Sequence, residues 1–393
     1  MEASSGAMTP EDLLEEARQQ AGLEDFGDPS FREGLGLLVY SYEREARLSA
    51  LGRGAVRGRL VQFLVNRLKL HDWISRHPEI LEGAVERPIF ILGLPRTGTT
   101  LLHDLLALDP LSRAPLHWEA EEPCPPPQLF HSATDPRIQT AHAKLQALDA
   151  MAPEMKKIHP VAAGAPTECM TLLNHEFKSL EFECQAWVPS YGAWFTHCDK
   201  ASAYRLHRKL LQLLQWRSPT ETWVLKAPTH LFGLDALLAE YPDAQIVFTH
   251  RDPLKVVASQ ASLIAVASRL LSDEVDPQRI ASWWSEKTAT GVEKATAVRD
   301  ARRPEAFFDL QYHELIRDPV AAVRRAYAHF GREVTRAHER RMRAWLRDNP
   351  QDKHGRHRYS LAEFGLDAER ENRRFAAYRE RFGIPAESGA GGR

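Results

Sequence analysis

Residues 88–110, PIFILGLPRTGTTLLHDLLALDP, join three patterns that together restrict how this chain can fold. Residues 88–93 form a continuous apolar run with β-branched and aromatic side chains, which is typical of a strand buried on both faces. Leucines at 101, 102, 105, 106 and 108 follow the period of a helix, which we expect to end at Asp109 and Pro110. The loop GLPRTGTT lies between the strand and the helix. This order predicts an anion site at the helix N-terminus.

The loop differs by one residue from the nucleoside-triphosphate pattern G-x-x-x-x-G-K-[ST]. Gly93 and Gly98 are five residues apart and Thr100 closes the pattern, but Thr99 replaces the lysine that would neutralise the β and γ phosphates. Arg96 supplies a positive charge from within the loop, and its paired donors suit a phosphate or sulfonate group. The loop therefore predicts a ligand with a 5′-phosphate that carries a further oxyanion, held without an obligatory metal ion.

Further strand signals occur at residues 220–226 (TETWVLK), 244–250 (AQIVFTH) and 305–312 (EAFFDLQY), separated by helical stretches. This alternation predicts an α/β protein with a P-loop-type, three-layer fold, in which a mostly parallel sheet is flanked by helices. Residues 1–85 are interpreted as a helical extension, which begins with Thr9 as a helix N-cap. We assign residues 86–385 to the α/β domain and residues 386–393 to a disordered tail.

Composition narrows the possible partners. The formal net charge of −2 and the isoelectric point near 6.8 lack the basic excess on which nucleic-acid binding relies, so no nucleic-acid partner is expected. No apolar run approaches the roughly 20 residues needed to cross a bilayer. The acidic N-terminus is unlike a signal peptide, so we predict a cytoplasmic protein without a transmembrane segment. The four widely spaced cysteines suggest neither a zinc site nor a disulfide framework.

Segment 88–110 resembles the 5′-phosphosulfate loop of sulfotransferases that use 3′-phosphoadenosine 5′-phosphosulfate (PAPS), in particular the bacterial-type branch whose loop reads P-R-[ST]-G-T-T. In that family, the loop backbone and its Arg and Thr side chains bind the 5′ end of the donor. The resemblance assigns this role to five consecutive residues: Arg96, Thr97, Gly98, Thr99 and Thr100.

Two further segments strengthen the resemblance. VFTHRDPLKVVAS (247–259) is similar to the family's 3′-phosphate element, in which an arginine at a strand end and a serine eight residues later bind the phosphate; these are Arg251 and Ser259. The alternative is that Arg251 caps the next helix or pairs with Asp252. WVLKAPTHL (223–231) resembles the family's lysine–proline segment, which implies that Lys226 approaches the transferred sulfuryl group. Alternatively, Lys226 is a solvated charge at a strand end.

A fourth segment, KHGRHRYSLAEFGL (353–366), resembles the C-terminal loop that closes over the nucleotide in this branch. The resemblance implies donor contacts from Gly355, His357 and Tyr359, although the form RKGxxGDW of the cytosolic enzymes is absent. Taken together, the matching segments run from about residue 85 to about residue 365, in the family's order.

Transfer to a hydroxyl or amine requires a base that removes the acceptor proton. In related enzymes a glutamate or histidine shortly after the loop helix has this role, and RAPLHWEAEEP (113–123) offers His117 and Glu119. We favour Glu119 because Trp118 and the following prolines would desolvate it, and an extended segment would point both side chains the same way. The alternative is that Glu119 begins a solvated acidic run. Lys226 and Arg96 would stabilise charge on the sulfuryl oxygens.

Residues 168–199 are rich in aromatic side chains, which could line a pocket for an apolar or ring-bearing small molecule or belong to the core. His175 and Glu176 in this stretch are further candidates for the base. The sequence thus predicts a PAPS-dependent sulfotransferase with a small-molecule acceptor and a possible homodimer. A P-loop kinase or NTPase is disfavoured by the missing lysine and by the lack of an evident magnesium-binding acid. A non-catalytic nucleotide-binding protein of the same fold stays open.

Overall fold

The computed structural model describes residues 7–128, 134–154, 161–302, 304–350 and 360–387. Within them, five strands form one parallel sheet in the order β2-β3-β1-β4-β5. The strands are β1 (Ile89–Gly93), β2 (Ser112–Arg113), β3 (Thr222–Lys226), β4 (Gln245–His250) and β5 (Phe307–Gln311). The predicted α/β fold and four of its strands are confirmed. The two-residue strand β2 was not predicted, because it is too short to produce an apolar run.

Strand β1 lies at the centre of the sheet, between β3 and β4. Ile91 is in register with Lys226 on one side, and Gly93 is in register with Thr249 on the other. Because the strands are parallel, their carboxyl ends meet at one edge, which is where open α/β sheets bind ligands. The loop after β1 therefore emerges between the ends of β3 and β4.

The helices account for most of the remaining described residues. In chain order they are α1 (Pro10–Ala21), α2 (Phe31–Arg44), α3 (Ala50–Arg76), α4 (Thr99–Ala107), α5 (His117–Glu121), α6 (Pro136–Met151), α7 (Cys169–Asn174), α8 (Glu181–Gln185), α9 (Pro189–His197), α10 (Ala201–Trp216), α11 (Leu234–Glu240), α12 (Pro253–Ser268), α13 (Pro277–Asp300), α14 (Tyr312–Arg317), α15 (Pro319–His329), α16 (Arg336–Asp348), α17 (Ala368–Arg374) and α18 (Ala376–Phe382). Within the described ranges, every helix is too short or too polar to span a lipid bilayer.

Local sequence explains how several of these helices begin. The Thr9 hydroxyl accepts a hydrogen bond from the Asp12 backbone N–H at 3.2 Å, and Pro10 occupies the first helical position of α1. The predicted N-cap is thus confirmed. Asp252 has the same function for α12, because its carboxylate accepts from the Leu254 N–H at 3.1 Å.

The sheet separates two hydrophobic layers. Along β1, Phe90 and Leu92 pack into the larger layer, whereas Ile89 and Ile91 pack into the smaller one. The larger layer also contains buried residues of α1, α2 and α3, which therefore share a core with the central strands. The boundary at residues 85 and 86 stays a prediction from the sequence.

Candidate active site

The two loop glycines meet different structural requirements. Gly93 ends β1 so close to β4 that a Cβ atom there would lie 2.3 Å from the Thr249 hydroxyl oxygen. Gly98 has φ of 83° and is the N-cap of α4, and a Cβ atom there would lie 2.8 Å from the side chain of Leu315. Both positions therefore exclude larger residues.

The N-terminus of α4 faces the edge where the strands end. A helix leaves its first four N–H groups without partners inside the helix, so they and the helix dipole suit an anion. Thr99 is half-buried and Thr100 is exposed in the first turn of α4. Thr97 is buried, and its hydroxyl donates to the Leu94 carbonyl at 2.7 Å and lies 2.6 Å from the Thr249 hydroxyl. The Thr97 hydroxyl thus stabilises the loop itself.

Arg96 has a left-handed backbone, with φ of 65°. For a residue other than glycine this conformation costs about 1–2 kcal/mol, and such strain is concentrated at functional sites. The Arg96 carbonyl accepts a hydrogen bond from Nη1 of Arg251 at 2.8 Å. The structure thus joins two segments that are far apart in the sequence and that were both predicted to bind phosphate.

Arg251 directly follows β4, as predicted. Its guanidinium carbon lies 3.9 Å from the centre of the Tyr312 ring, within the range of a cation–π contact. Its Nε and Nη2 atoms bind the two carboxylate oxygens of Glu387 at 2.7 and 3.0 Å. Ser259 is buried on α12, which begins two residues after Arg251.

Lys226 ends β3 and is buried, with only 3% of its side chain exposed. The alternative of a solvated strand-end charge is therefore wrong. Its ammonium group forms an ion pair with Glu168, which is the N-cap residue of α7. Glu168 was not predicted as a site residue, because an acid ahead of a short apolar helix signals a cap and nothing more.

Two side chains of α4 lie within the electrostatic influence of Lys226. Burial raises the pKa of Asp104 to about 6, although the positive charge of Lys226 opposes this shift. Burial lowers the pKa of His103 to about 3, so its ring is neutral, and its Nε2 atom lies 3.1 Å from the Val224 carbonyl. Neither residue was predicted from the sequence.

Glu119, the favoured candidate for the base, lies in a different environment from the one expected. Residues 117–121 form helix α5 rather than an extended segment. Glu119 is buried, so its interpretation as a solvated charge is also wrong. Its Oε1 accepts from Nη2 of Arg113 at 2.5 Å, and its Oε2 accepts from the Leu116 N–H at 3.0 Å. Both carboxylate oxygens therefore have partners within the fold.

The other candidates for the base also have distinct environments. His117 is half-buried, and burial lowers its pKa, with Glu121 opposing the shift. Burial lowers the pKa of His175 to about 4; its Nδ1 lies 3.1 Å from the Leu172 carbonyl and its Nε2 lies 3.0 Å from Nδ2 of Asn66. Its ring is thus neutral and engaged at both nitrogens.

Glu176 forms a buried ion pair with Arg67, at 2.5 Å. It thus belongs to a contact between the N-terminal helices and the rest of the chain. Most of the aromatic stretch is core as well, since Phe177, Phe182, Tyr191 and Phe195 are fully buried. The core interpretation of these four residues is confirmed.

A small apolar cavity of about 10 Å³ lies beside the glycine loop. Its lining combines loop residues with residues of four other segments, among them Leu94, Pro95, Leu180, Phe232, Gln260 and Trp284. Pro228, which also lines it, is two residues beyond Lys226. The cavity therefore lies where an apolar acceptor could reach the strand edge.

Gly355, His357 and Tyr359 lie outside the described residues, so their predicted donor contacts stay predictions. Among the residues that the structure does describe, no group of three His, Cys, Asp or Glu side chains could hold a metal ion.

A family model described as "Sulfotransferase family" matches residues 88–336. The chain is 28% identical over 275 residues to the omega-hydroxy-beta-dihydromenaquinone-9 sulfotransferase Stf3 of Mycobacterium bovis, covering 67% of each protein.

Two crystal structures are similar over nearly the whole chain. Sulfotransferase STF1 of Mycobacterium tuberculosis H37Rv is 35% identical with a TM-score of 0.85, and the match covers 95% of this chain and 100% of that structure. Sulfotransferase STF9 of Mycobacterium avium is 33% identical with a TM-score of 0.91, and the match covers 99% and 100% respectively.

Proposed function

The chain belongs to the sulfotransferase family, and on this basis we propose that it transfers the sulfuryl group of PAPS to a hydroxyl group of an apolar, lipid-like acceptor. Its family membership argues against a kinase or NTPase, which the sequence already disfavoured, and against a non-catalytic binding protein, which the sequence had left open. A cytoplasmic location, the lack of a nucleic-acid partner and a homodimer remain predictions from the sequence.

The observation that carries the proposed donor is the hydrogen bond between Arg251 and the Arg96 carbonyl. Arg96 belongs to the loop proposed to bind the 5′-phosphosulfate, and Arg251 belongs to the element proposed to bind the 3′-phosphate. A nucleotide with anionic groups at both ends fits this pair of sites. A nucleoside triphosphate concentrates its charge at one end and uses only the loop.

The proposed chemistry uses the buried pair at the end of β3. The Glu168 carboxylate takes the proton of the acceptor hydroxyl while its oxygen forms a bond to sulfur. The bond from sulfur to the 5′-phosphate oxygen breaks, and adenosine 3′,5′-bisphosphate leaves with the bonding electron pair. Lys226 and Arg96 stabilise the negative charge on the sulfuryl and phosphate oxygens. Glu119, His117, His175 and Glu176 remain the alternative bases.

The apolar character of the acceptor is supported by the cavity beside the loop, whose lining is mostly aliphatic and aromatic. The name of the relative Stf3 describes a hydroxylated menaquinone, which is a lipid, as its acceptor. A cavity of about 10 Å³ has room for about one water-sized group, such as a hydroxyl, and not for the body of such a molecule. We therefore propose that the hydroxyl-bearing end of a larger apolar acceptor enters here.

Ligand-induced thermal stabilisation tests the proposed donor site. We expect adenosine 3′,5′-bisphosphate to raise the melting temperature more than Mg·ATP at equal concentration, because only the former occupies both anion sites. Arg251→Ala should remove the preference for the 3′-phosphate over adenosine 5′-phosphate. Arg269→Ala, at an exposed arginine just beyond α12, is the matched control and should keep it. Equal or stronger stabilisation by Mg·ATP would contradict the proposal.

A transfer assay tests the acceptor. Sulfate-labelled PAPS is incubated with a panel of lipid alcohols, sterols, phenols and sugars, and labelled products are counted. We expect lipid alcohols to be sulfated faster than sugars, because the cavity offers little hydrogen bonding to a polar acceptor. Preferential sulfation of sugars would contradict the proposed acceptor class without affecting the proposed donor.

A further inference from the structure

The residues after the last described helix return to the proposed donor site. Gly383, with φ of 59°, ends α18, and Ile384 is buried behind it. Two contacts hold this helix end against the sheet. The Phe382 ring stacks on the His250 ring with their centroids 4.1 Å apart, and the Phe382 carbonyl accepts a hydrogen bond from Nε2 of Gln311 at 2.8 Å. This anchoring directs residues 384–387 across the carboxyl end of β4.

Glu387 is the last described residue and is bound twice at this edge. Its backbone N–H donates to Oδ2 of Asp252 at 2.8 Å. Its carboxylate receives the parallel pair of hydrogen bonds from Nε and Nη2 of Arg251. Arg251 is 16% exposed and Glu387 is 33% exposed, so solvent and ligands reach the pair.

Two further contacts of Arg251 fix the orientation of the guanidinium edge that carries Nε and Nη2. Nη1 is directed to the Arg96 carbonyl, and the flat face lies on the Tyr312 ring. These two contacts come from the loop and from α14, so they do not depend on Glu387. They hold the guanidinium in place with its Nε and Nη2 edge turned toward an anion. A carboxylate and a phosphate bind this edge in the same bidentate geometry.

We propose that Glu387 is an internal competitor for the 3′-phosphate of the sulfuryl donor. This inference rests on the proposed function, which places that phosphate on Arg251. Binding of the donor requires the carboxylate to leave the guanidinium, and the dianionic phosphate displaces it. The desulfated product carries the same 3′-phosphate, so the returning carboxylate favours product release. Glu387 therefore weakens the binding of donor and product alike.

Titration calorimetry with the full chain tests this competition. Adenosine 3′,5′-bisphosphate is titrated into the wild type, Glu387→Gln and Glu387→Ala, with adenosine 5′-phosphate as the ligand that lacks the 3′-phosphate. Both substitutions should tighten binding of the bisphosphate about two- to fivefold, as expected for loss of a partly exposed ion pair. Binding of adenosine 5′-phosphate should not change. Glu380→Gln, at an exposed glutamate of α18, is the matched control and should leave both affinities unchanged.

A double-mutant cycle adds a second readout. In an Arg251→Ala background, Glu387→Gln should no longer alter the affinity for the bisphosphate, because the competed contact is gone. The inference is overturned if Glu387→Gln leaves bisphosphate affinity unchanged or weakens it, or if it tightens binding of both nucleotides equally. If the wild type shows no preference for the bisphosphate over Mg·ATP, the proposed donor itself fails, and this inference fails with it.

Discussion

The buried carboxylates of Glu119 and Glu168 differ in the basic residues with which they pair. Glu119 pairs with Arg113, which also donates to the Leu214 and Ser218 carbonyls at 2.7 and 2.9 Å. This arginine thus links α5 to the end of α10, as a structural cross-link does. Glu168 instead pairs with Lys226, next to the glycine loop. The same residue type thus belongs to a structural cross-link at one position and lies beside the proposed donor loop at the other.

This difference predicts opposite phenotypes for two isosteric substitutions. Glu168→Gln should lower kcat by about 10²- to 10⁴-fold with little change in donor affinity, because the proposed base is lost. Glu119→Gln should keep kcat within a few fold and lower the melting temperature, because the Arg113 ion pair loses its charge. Steady-state transfer assays and thermal unfolding measure the two effects. A large loss of kcat in Glu119→Gln at an unchanged melting temperature would return the role of base to Glu119.

The positions of single site residues were predictable from the sequence where the residue lies within or directly after a local pattern. Lys226 and Arg251 were located at strand ends, and Arg96 in the loop after β1, because each follows its own apolar run. Glu168 and Glu387 were not found, because they reach their partners across 58 and 136 residues of chain. No local periodicity encodes such tertiary contacts.

At the scale of elements, one buried arginine of helix α3 links several segments of the chain. Arg67 forms an ion pair with Glu176, and its other guanidinium groups donate to the Phe26 and Asp28 carbonyls at 2.9 and 2.7 Å. Its face also lies 4.3 Å from the centre of the Phe31 ring. One side chain therefore joins α3 to the segment before α2 and to the residues after α7.

Arg67→Met should destabilise the protein by about 3–5 kcal/mol, because it leaves the Glu176 carboxylate buried without its partner. Urea unfolding measures this free energy. The matched control is Arg76→Met on the same helix, where the arginine pairs with Asp72 at an exposed position. The control should cost no more than about 0.5 kcal/mol. Similar costs for both substitutions would show that Arg67 does not anchor α3.

The sequence predicted long elements well and short ones poorly. Strands β1, β3, β4 and β5 have continuous apolar patterns, and the start of α1 carries a capping signal. Strand β2 has two residues and α5 has five, so neither is long enough to display a period. For this reason the sequence did not reveal that Glu119 lies on a helix, and the argument that an extended segment would point residues 117 and 119 the same way does not apply.

At the scale of the whole molecule, the N-terminal helices contribute to the main core. Leu13, Phe31 and Leu60 are fully or almost fully buried in the same cluster as Phe90 and Leu225 of the central strands. The apolar periodicity of residues 10–85 predicted amphipathic helices, but it could not identify the surface on which these helices pack. Their division from the α/β domain was therefore beyond what the pattern could define.

A chain that begins at residue 86 should lose cooperative unfolding, because removal of α1, α2 and α3 exposes one face of the larger layer and leaves Glu176 unpaired. Differential scanning calorimetry checks this expectation against the full chain. A cooperative transition near the wild-type melting temperature would instead show that residues 86–387 form an independent domain.

The hydrogen bond from Arg251 to the Arg96 carbonyl has a consequence for nucleotide selection. This bond ties the two proposed anion sites to each other through the protein backbone, so we expect their separation to be set before any ligand binds. On the proposed function, this separation sets the distance that the two phosphate groups of one nucleotide must span. An isomer that carries its second phosphate on the 2′ rather than the 3′ oxygen presents the same charge at the wrong span, and the fixed spacing discriminates against it.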